Sequence, residues 1–175
     1  MGFELPALRS LGDLADAEPV IVIDTREQKP LPFERLKTQT STLITGDYSV
    51  AGLENLFAIE RKSVHDLVAC CIASNRERFE RELHRLRGFR FKRLLIVGTE
   101  EQILRGNFQS NIKPKAVLAT LSAFEVRYDV PVVFCETAES GGRLIERWIY
   151  WFAREYVLAA NNLLRAATNG TEVHP

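Results

Sequence analysis

Glu60, Arg61 and Lys62 follow the apolar run "LFAI" with no turn residue between them. The run reads as a strand bound for the inside of a sheet. Strand side chains alternate faces, so Phe57, Ile59 and Arg61 share one side and Ala58, Glu60 and Lys62 the other. The preceding "AGLEN" is a turn. A hairpin centred between Leu53 and Glu54 sets Val50 opposite Phe57 and Asp47 opposite Glu60. Opposed side chains lie close on one face, and two opposed carboxylates repel unless a cation lies between them. Asp and Glu oxygens at one point suit a hard divalent ion, Mg2+ above all. Lys62 beside it can hold an attacking water or offset charge developing on a phosphate. The set suits metal-assisted hydrolysis of a phosphodiester. The plain alternative is a solvated ion pair at a strand end.

The elements that hold these residues follow from pattern. "VIVID" is a buried strand ending at Asp24, with Val20, Val22 and Asp24 on one face. Ligands in α/β sheets gather at such strand ends. The alternative for Asp24 and Glu27 is turn chemistry and an ion pair with Arg26. A loop marked by Pro30 and Pro32 follows, then the strand-like "TQTSTLITGDYSV". Ser63 is placed to cap a helix, with Asp66 as the acidic partner of a capping box. That helix is expected to break near Ser74 and Asn75 and to stop at Gly88, with Phe79, Leu83 and Leu86 as its apolar stripe. "KRLLIVG" and "VPVVFCE" are further strands. Helices are expected from Pro114 and from Gly141–Gly142 to about residue 160. The strand–helix alternation after a hairpin predicts one α/β domain with a mixed sheet flanked by helices.

Composition narrows the class. The chain has 175 residues, enough for one domain, with nearly half apolar and about a quarter charged. No apolar stretch approaches a membrane span, and the first residues lack the pattern of a secretory signal. Cys70, Cys71 and Cys135 have no zinc-like spacing and read as reduced thiols of a cytoplasmic protein. Formal net charge is zero, yet residues 76–93 carry eight Arg/Lys against three Glu. A local basic patch of this kind can neutralise phosphates.

In order along the chain, "VIVIDTRE", "GDYSV", "AIERKSVHDL" and "LLIVG" closely resemble the nuclease domain of the XPF/Hef-type endonucleases, with their signature G-D-x(n)-E-R-K-x-x-x-D. The resemblance runs from about residue 20 to residue 155. It implies a restriction-endonuclease-like fold of the PD-(D/E)xK superfamily. It implies a metal-dependent endonuclease that cuts branched or flap-containing DNA in repair or recombination, with Mg2+ as cofactor and Mn2+ as a substitute. Asp24, Glu27, Asp47, Glu60 and Lys62 would be catalytic, with Asp24, Asp47 and Glu60 on the metal and Arg61 and Asp66 in support. Arg76 would lie near the cleft and the DNA. The rivals are a resolvase- or restriction-like nuclease with another substrate, and a non-catalytic scaffold that binds DNA or a partner.

Relatives of this type usually carry a tandem helix-hairpin-helix module. None of the ten glycines here has another two positions away, as its Gly-hydrophobic-Gly turns require. DNA is then expected to be held by the basic segment, through Arg78, Arg81 and Arg85, or by a separate partner protein. The last helix carries more apolar residues than one stripe against a sheet needs. Together with the resemblance, this predicts a homodimer through the late helices. The domain is placed at 20–160, between an N-terminal arm (1–19) and a frayed tail (161–175). The expected location is the cytoplasm, or the nucleoid or nucleus with DNA.

Overall fold

A computed structural model describes residues 18–169 apart from 107 and 109. The expectations for 1–17 and 170–175 lie outside the described residues. Six strands form one mixed sheet: β1 (Ile21–Asp24), β2 (Thr38–Ser41), β3 (Tyr48–Val50), β4 (Phe57–Ser63), β5 (Phe91–Val97) and β6 (Val132–Cys135). Their spatial order is β2-β1-β3-β4-β5-β6. β3 is antiparallel to both β1 and β4, while β2–β1, β4–β5 and β5–β6 run parallel. This is the expected restriction-endonuclease-like α/β architecture.

Alternation along β4 assigns the two faces. Ala58 joins Leu94 and Ile96 in a core covered by α1 (Val64–Cys70), α2 (Ala73–Leu86), α3 (Glu100–Arg105) and α4 (Pro114–Tyr128). Phe57 and Ile59 point the other way, with Leu95, onto Ile145 and Ile149 of α5 (Ala138–Asn169). Four helices therefore cover one face, and α5 covers the other.

Local chemistry sets the helix ends. The Ser63 hydroxyl accepts from the Asp66 N–H and donates to its carboxylate, which starts α1. The break between α1 and α2 comes at Cys71 and Ile72, ahead of the expected Ser74 and Asn75. α3 was not foreseen. Its signal is the capping box of Thr99 and Gln102. α5 begins three residues before Gly141, because Thr137 and Ser140 bond reciprocally at its start. Gly142 lies inside the helix for a contact reason: a Cβ there would come within 1.9 Å of the Pro32 carbonyl oxygen. α5 also runs beyond residue 160, spanning 32 residues or about 48 Å. Tyr150, Trp151, Val157, Leu158 and Leu163 remain exposed on it. Among the described residues no helix is long and apolar enough to cross a membrane.

Candidate active site

The end of the sheet where β1 and β4 finish opens into a cleft of about 530 Å3. Arg26, Glu27 and Lys29 line one side, Asp47, Arg61 and Lys62 the floor, and Asp66, Arg78, Phe79 and Glu82 the other side. The hairpin register is the one expected from the turn, with Tyr48 opposite Ile59. Gly46 makes the entry into β3 possible. Its φ is 85°, and a Cβ on it would lie 3.0 Å from the Ile59 carbonyl oxygen. Asp47 then donates its N–H to that same oxygen at 2.8 Å. One carboxylate oxygen of Asp47 accepts from the Arg61 N–H at 2.7 Å.

Glu60 is buried on the face shared with α2. Burial first and the Asp47 charge second push its carboxyl up to about 7. Burial also raises Asp47, against the Arg61 N–H bond and the Lys62 charge. The Lys62 ammonium bonds to Glu60 and lies 5.5 Å above the Phe79 ring. Burial acts to lower its pKa, but the attraction of Glu60 outweighs that and raises it. The Asp47 and Glu60 carboxylates and Lys62 thus act on one another electrostatically.

Asp24 and Glu27 differ. Asp24 was expected on the metal, but all its acceptor capacity is engaged. Its Oδ1 accepts from the Arg26 N–H at 2.9 Å and Arg26 Nε at 2.6 Å. Its Oδ2 accepts from the Leu43 N–H at 2.7 Å and Arg26 Nη2 at 3.1 Å. Burial pushes the Asp24 carboxyl up, and these bonds more than offset it, leaving it below the ordinary range. Glu27 meets Arg61 at 2.6 Å and accepts from the Lys29 N–H at 2.8 Å. Among the described residues no group of three or more His, Cys, Asp or Glu side chains is arranged to hold a metal ion. Among these residues, Asp47 accepts one bond, from the Arg61 N–H, and Glu60 one, from the Lys62 ammonium.

The basic segment divides. Arg78 lines the cleft. Arg81 lies in another hollow, with His84 and Tyr128. Arg85 donates to the Thr45 hydroxyl at 3.2 Å and so ties α2 to the loop before Asp47. Arg76, expected near the cleft, turns toward α4 instead. It stacks 5.2 Å from the Phe124 ring and pairs with Glu80. Glu82 was missed by sequence reasoning. Its carboxylate lies 4.0 Å from the Lys62 ammonium and 3.6 Å from Arg78. The available signal was its place one turn after Phe79, at the border of the core-facing stripe.

The ERCC4 domain family matches residues 23–147 of this sequence. Two solved structures share the fold. One is XPF from Aeropyrum pernix, with a TM-score of 0.59 and 18% identity over 74% of this chain and 59% of that one. The other is XPF from Aeropyrum pernix in complex with DNA, with a TM-score of 0.61 and 17% identity over 79% of this chain and 66% of that one. The chain thus spans about six-tenths of the first structure's length and about two-thirds of the second's. No curated protein matches the sequence.

Proposed function

The chain belongs to the ERCC4 domain family, a family of nucleases, and from that premise we propose that it is a Mg2+-dependent endonuclease hydrolysing phosphodiester bonds in branched DNA during repair or recombination. The observation that carries this reading is Lys62, bonded to the buried Glu60, lining an open cleft together with the half-buried Asp47.

The donor set fits the ion. Mg2+ keeps several waters and is commonly held by one or two carboxylates together with substrate phosphate. Two crowded carboxylates whose pKa values are raised by burial supply the oxygens and gain from a cation. Asp47 and Glu60 would hold it, and Mn2+, with the same oxygen preference, can take its place. A divalent ion held there would supply an activated water and charge stabilisation at the scissile phosphate.

The chain's own groups do the rest. Lys62 is an ammonium held by Glu60 over the Phe79 ring, placed to offset charge on the phosphate. Glu82 and Glu60 flank it and fix its direction. The Glu27–Arg61 pair ties the 25–29 loop to β4 and so holds one wall of the cleft. Arg26, Lys29 and Arg78 are the cations at the rim, where a DNA backbone enters.

A cleavage panel of flaps, forks, junctions and plain duplex, run in Mg2+, in Mn2+ and in chelator, tests this. We expect cutting of branched substrates in either metal and none in chelator. Cutting by wild type in excess chelator removes the metal from the mechanism. Equal cutting of plain duplex removes the preference for branches.

A further inference from the structure

Glu60 lies behind the wall of the cleft. It is 6% exposed and is not among the residues that line the cleft, whereas Lys62, whose ammonium bonds to it, is. A cation entering from the cleft therefore meets Lys62 before it meets Glu60. Like charges at one carboxylate repel each other, so Glu60 receives a second cation best when the ammonium moves aside.

Another acid is within reach of that ammonium. Glu82 Oε2 lies 4.0 Å from Lys62 Nζ, and Glu82 Oε1 lies 3.6 Å from Arg78 Nε. Both separations exceed hydrogen-bond distance. The Glu82 side chain is 21% exposed, so a carboxylate largely out of water stands between two cations and bonds to neither. Arg78 sits on one oxygen and leaves the other toward the lysine. A movement of about 1 Å brings the ammonium to bonding distance. The flexible four-carbon stem of lysine allows it, and the Phe79 ring, 5.5 Å from the ammonium, offers its face to the charge.

The other acids of the cleft are already engaged. Four line it, and three of them, Glu27, Asp47 and Asp66, accept hydrogen bonds from Arg61 Nη2 at 2.6 Å, the Arg61 N–H at 2.7 Å and the Ser63 hydroxyl at 2.7 Å. Glu82 is the fourth and accepts none among the described residues. It is the acid with capacity to take up the lysine.

We propose that Lys62 caps Glu60 in the metal-free chain and that Glu82 is a positioning residue, the seat that receives the ammonium when Glu60 takes up a divalent cation. The cation's place on Glu60 rests on the nuclease reading above.

The test is a Mn2+ titration of metal-free protein without DNA, with the free ion counted by its paramagnetic resonance signal. Wild type, Glu82→Gln, Lys62→Met and the double variant form a cycle. With Lys62 present, Glu82→Gln leaves the ammonium no seat but Glu60 and is expected to weaken Mn2+ binding about tenfold. Lys62→Met removes the cap, and on that background Glu82→Gln is expected to change affinity by about twofold or less. Glu82→Asp keeps an acceptor and is expected to recover part of the loss. An equal loss in Glu82→Asp and Glu82→Gln assigns the residue to packing and overturns the proposal. A tenfold loss on both backgrounds overturns it too, because Glu82 then acts on the ion directly. So does wild-type affinity in Glu82→Gln. If neither wild type nor Lys62→Met binds Mn2+, the ion reading falls and the second seat falls with it. If wild type binds Mn2+, Asp47→Asn does not, and the cycle shows no coupling, the ion reading stands and the seat alone falls.

Discussion

Four carboxylates gather at one end of the sheet, and their neighbours give them opposite characters. Asp24 and Glu27 each meet a guanidinium, Arg26 and Arg61, and every oxygen of theirs accepts a bond. Asp47 and Glu60 lie on the two strands of a hairpin whose register sets Tyr48 opposite Ile59; Lys62 bonds to Glu60, and the Arg61 N–H bonds to Asp47. The first pair holds loops in place. In the second, Glu60 is buried and Asp47 half-buried, and burial holds their protons more tightly than usual. The same residue types at one end of the sheet are thus held by guanidinium bonds in one pair and raised in pKa by burial in the other.

Catalysis should separate the two pairs most sharply. Asp47→Asn and Glu60→Gln keep shape and lose charge, and each is expected to lower cleavage of a branched substrate by about 100-fold or more without unfolding the protein. Asp24→Asn is expected to act mainly through stability. A cleavage loss for Asp24→Asn as large as theirs, at wild-type stability, breaks the comparison.

Stability runs the other way. Asp24→Ala leaves the Leu43 N–H without its acceptor in a buried position and is expected to cost about 1–3 kcal/mol in urea unfolding. Glu60→Gln, measured in chelator, should cost less than that, because it relieves repulsion with Asp47.

Metal and pH sharpen the same contrast. Mg2+ at 100 times its dissociation constant is expected to stabilise the wild type by about 2.7 kcal/mol. Asp24→Asn should retain this stabilisation and Asp47→Asn should lose it, as thermal unfolding in a Mg2+ titration would show. In chelator, the Glu60 carboxyl has a folded pKa of about 7 against an ordinary 4.5. The folded chain therefore binds that proton more tightly than the unfolded chain. The contribution is fully present below pH 4.5 and is lost as pH rises toward and through 7. Unfolding free energy in chelator should fall over that window, and Glu60→Gln should remove the fall.

The smallest effect compares two arginines of α2. Arg76 pairs with Glu80 and stacks on Phe124, so Arg76→Ala is expected to cost at most about 1 kcal/mol and to leave cleavage unchanged. Arg78 is at the cleft, so Arg78→Ala should weaken DNA binding a few-fold and lower its salt slope by about one unit. Cleavage kinetics and a salt titration on both variants reverse or support that ranking.

The hairpin register and the two faces of β4 were legible in the sequence because their causes are local. Strand alternation and a short turn fix which side chains share a face, and β4 and its hairpin obey both. The Ser63 cap and the Pro114 helix start were legible for the same reason. The length of α5 was not, since its last turns extend past the sheet that defines its apolar stripe. Nor was the Leu43 N–H that completes the acceptor set of Asp24, nineteen residues away along the chain. Arg76 and Arg78 are two residues apart on a charged helix, and only the packing of α2 between β4 and α4 turned one to Phe124 and the other to the cleft. Local backbone geometry brought the charges to one face. Which of them stayed unneutralised was decided by tertiary contacts, because electrostatic partners are chosen by distance in space and not by separation in sequence.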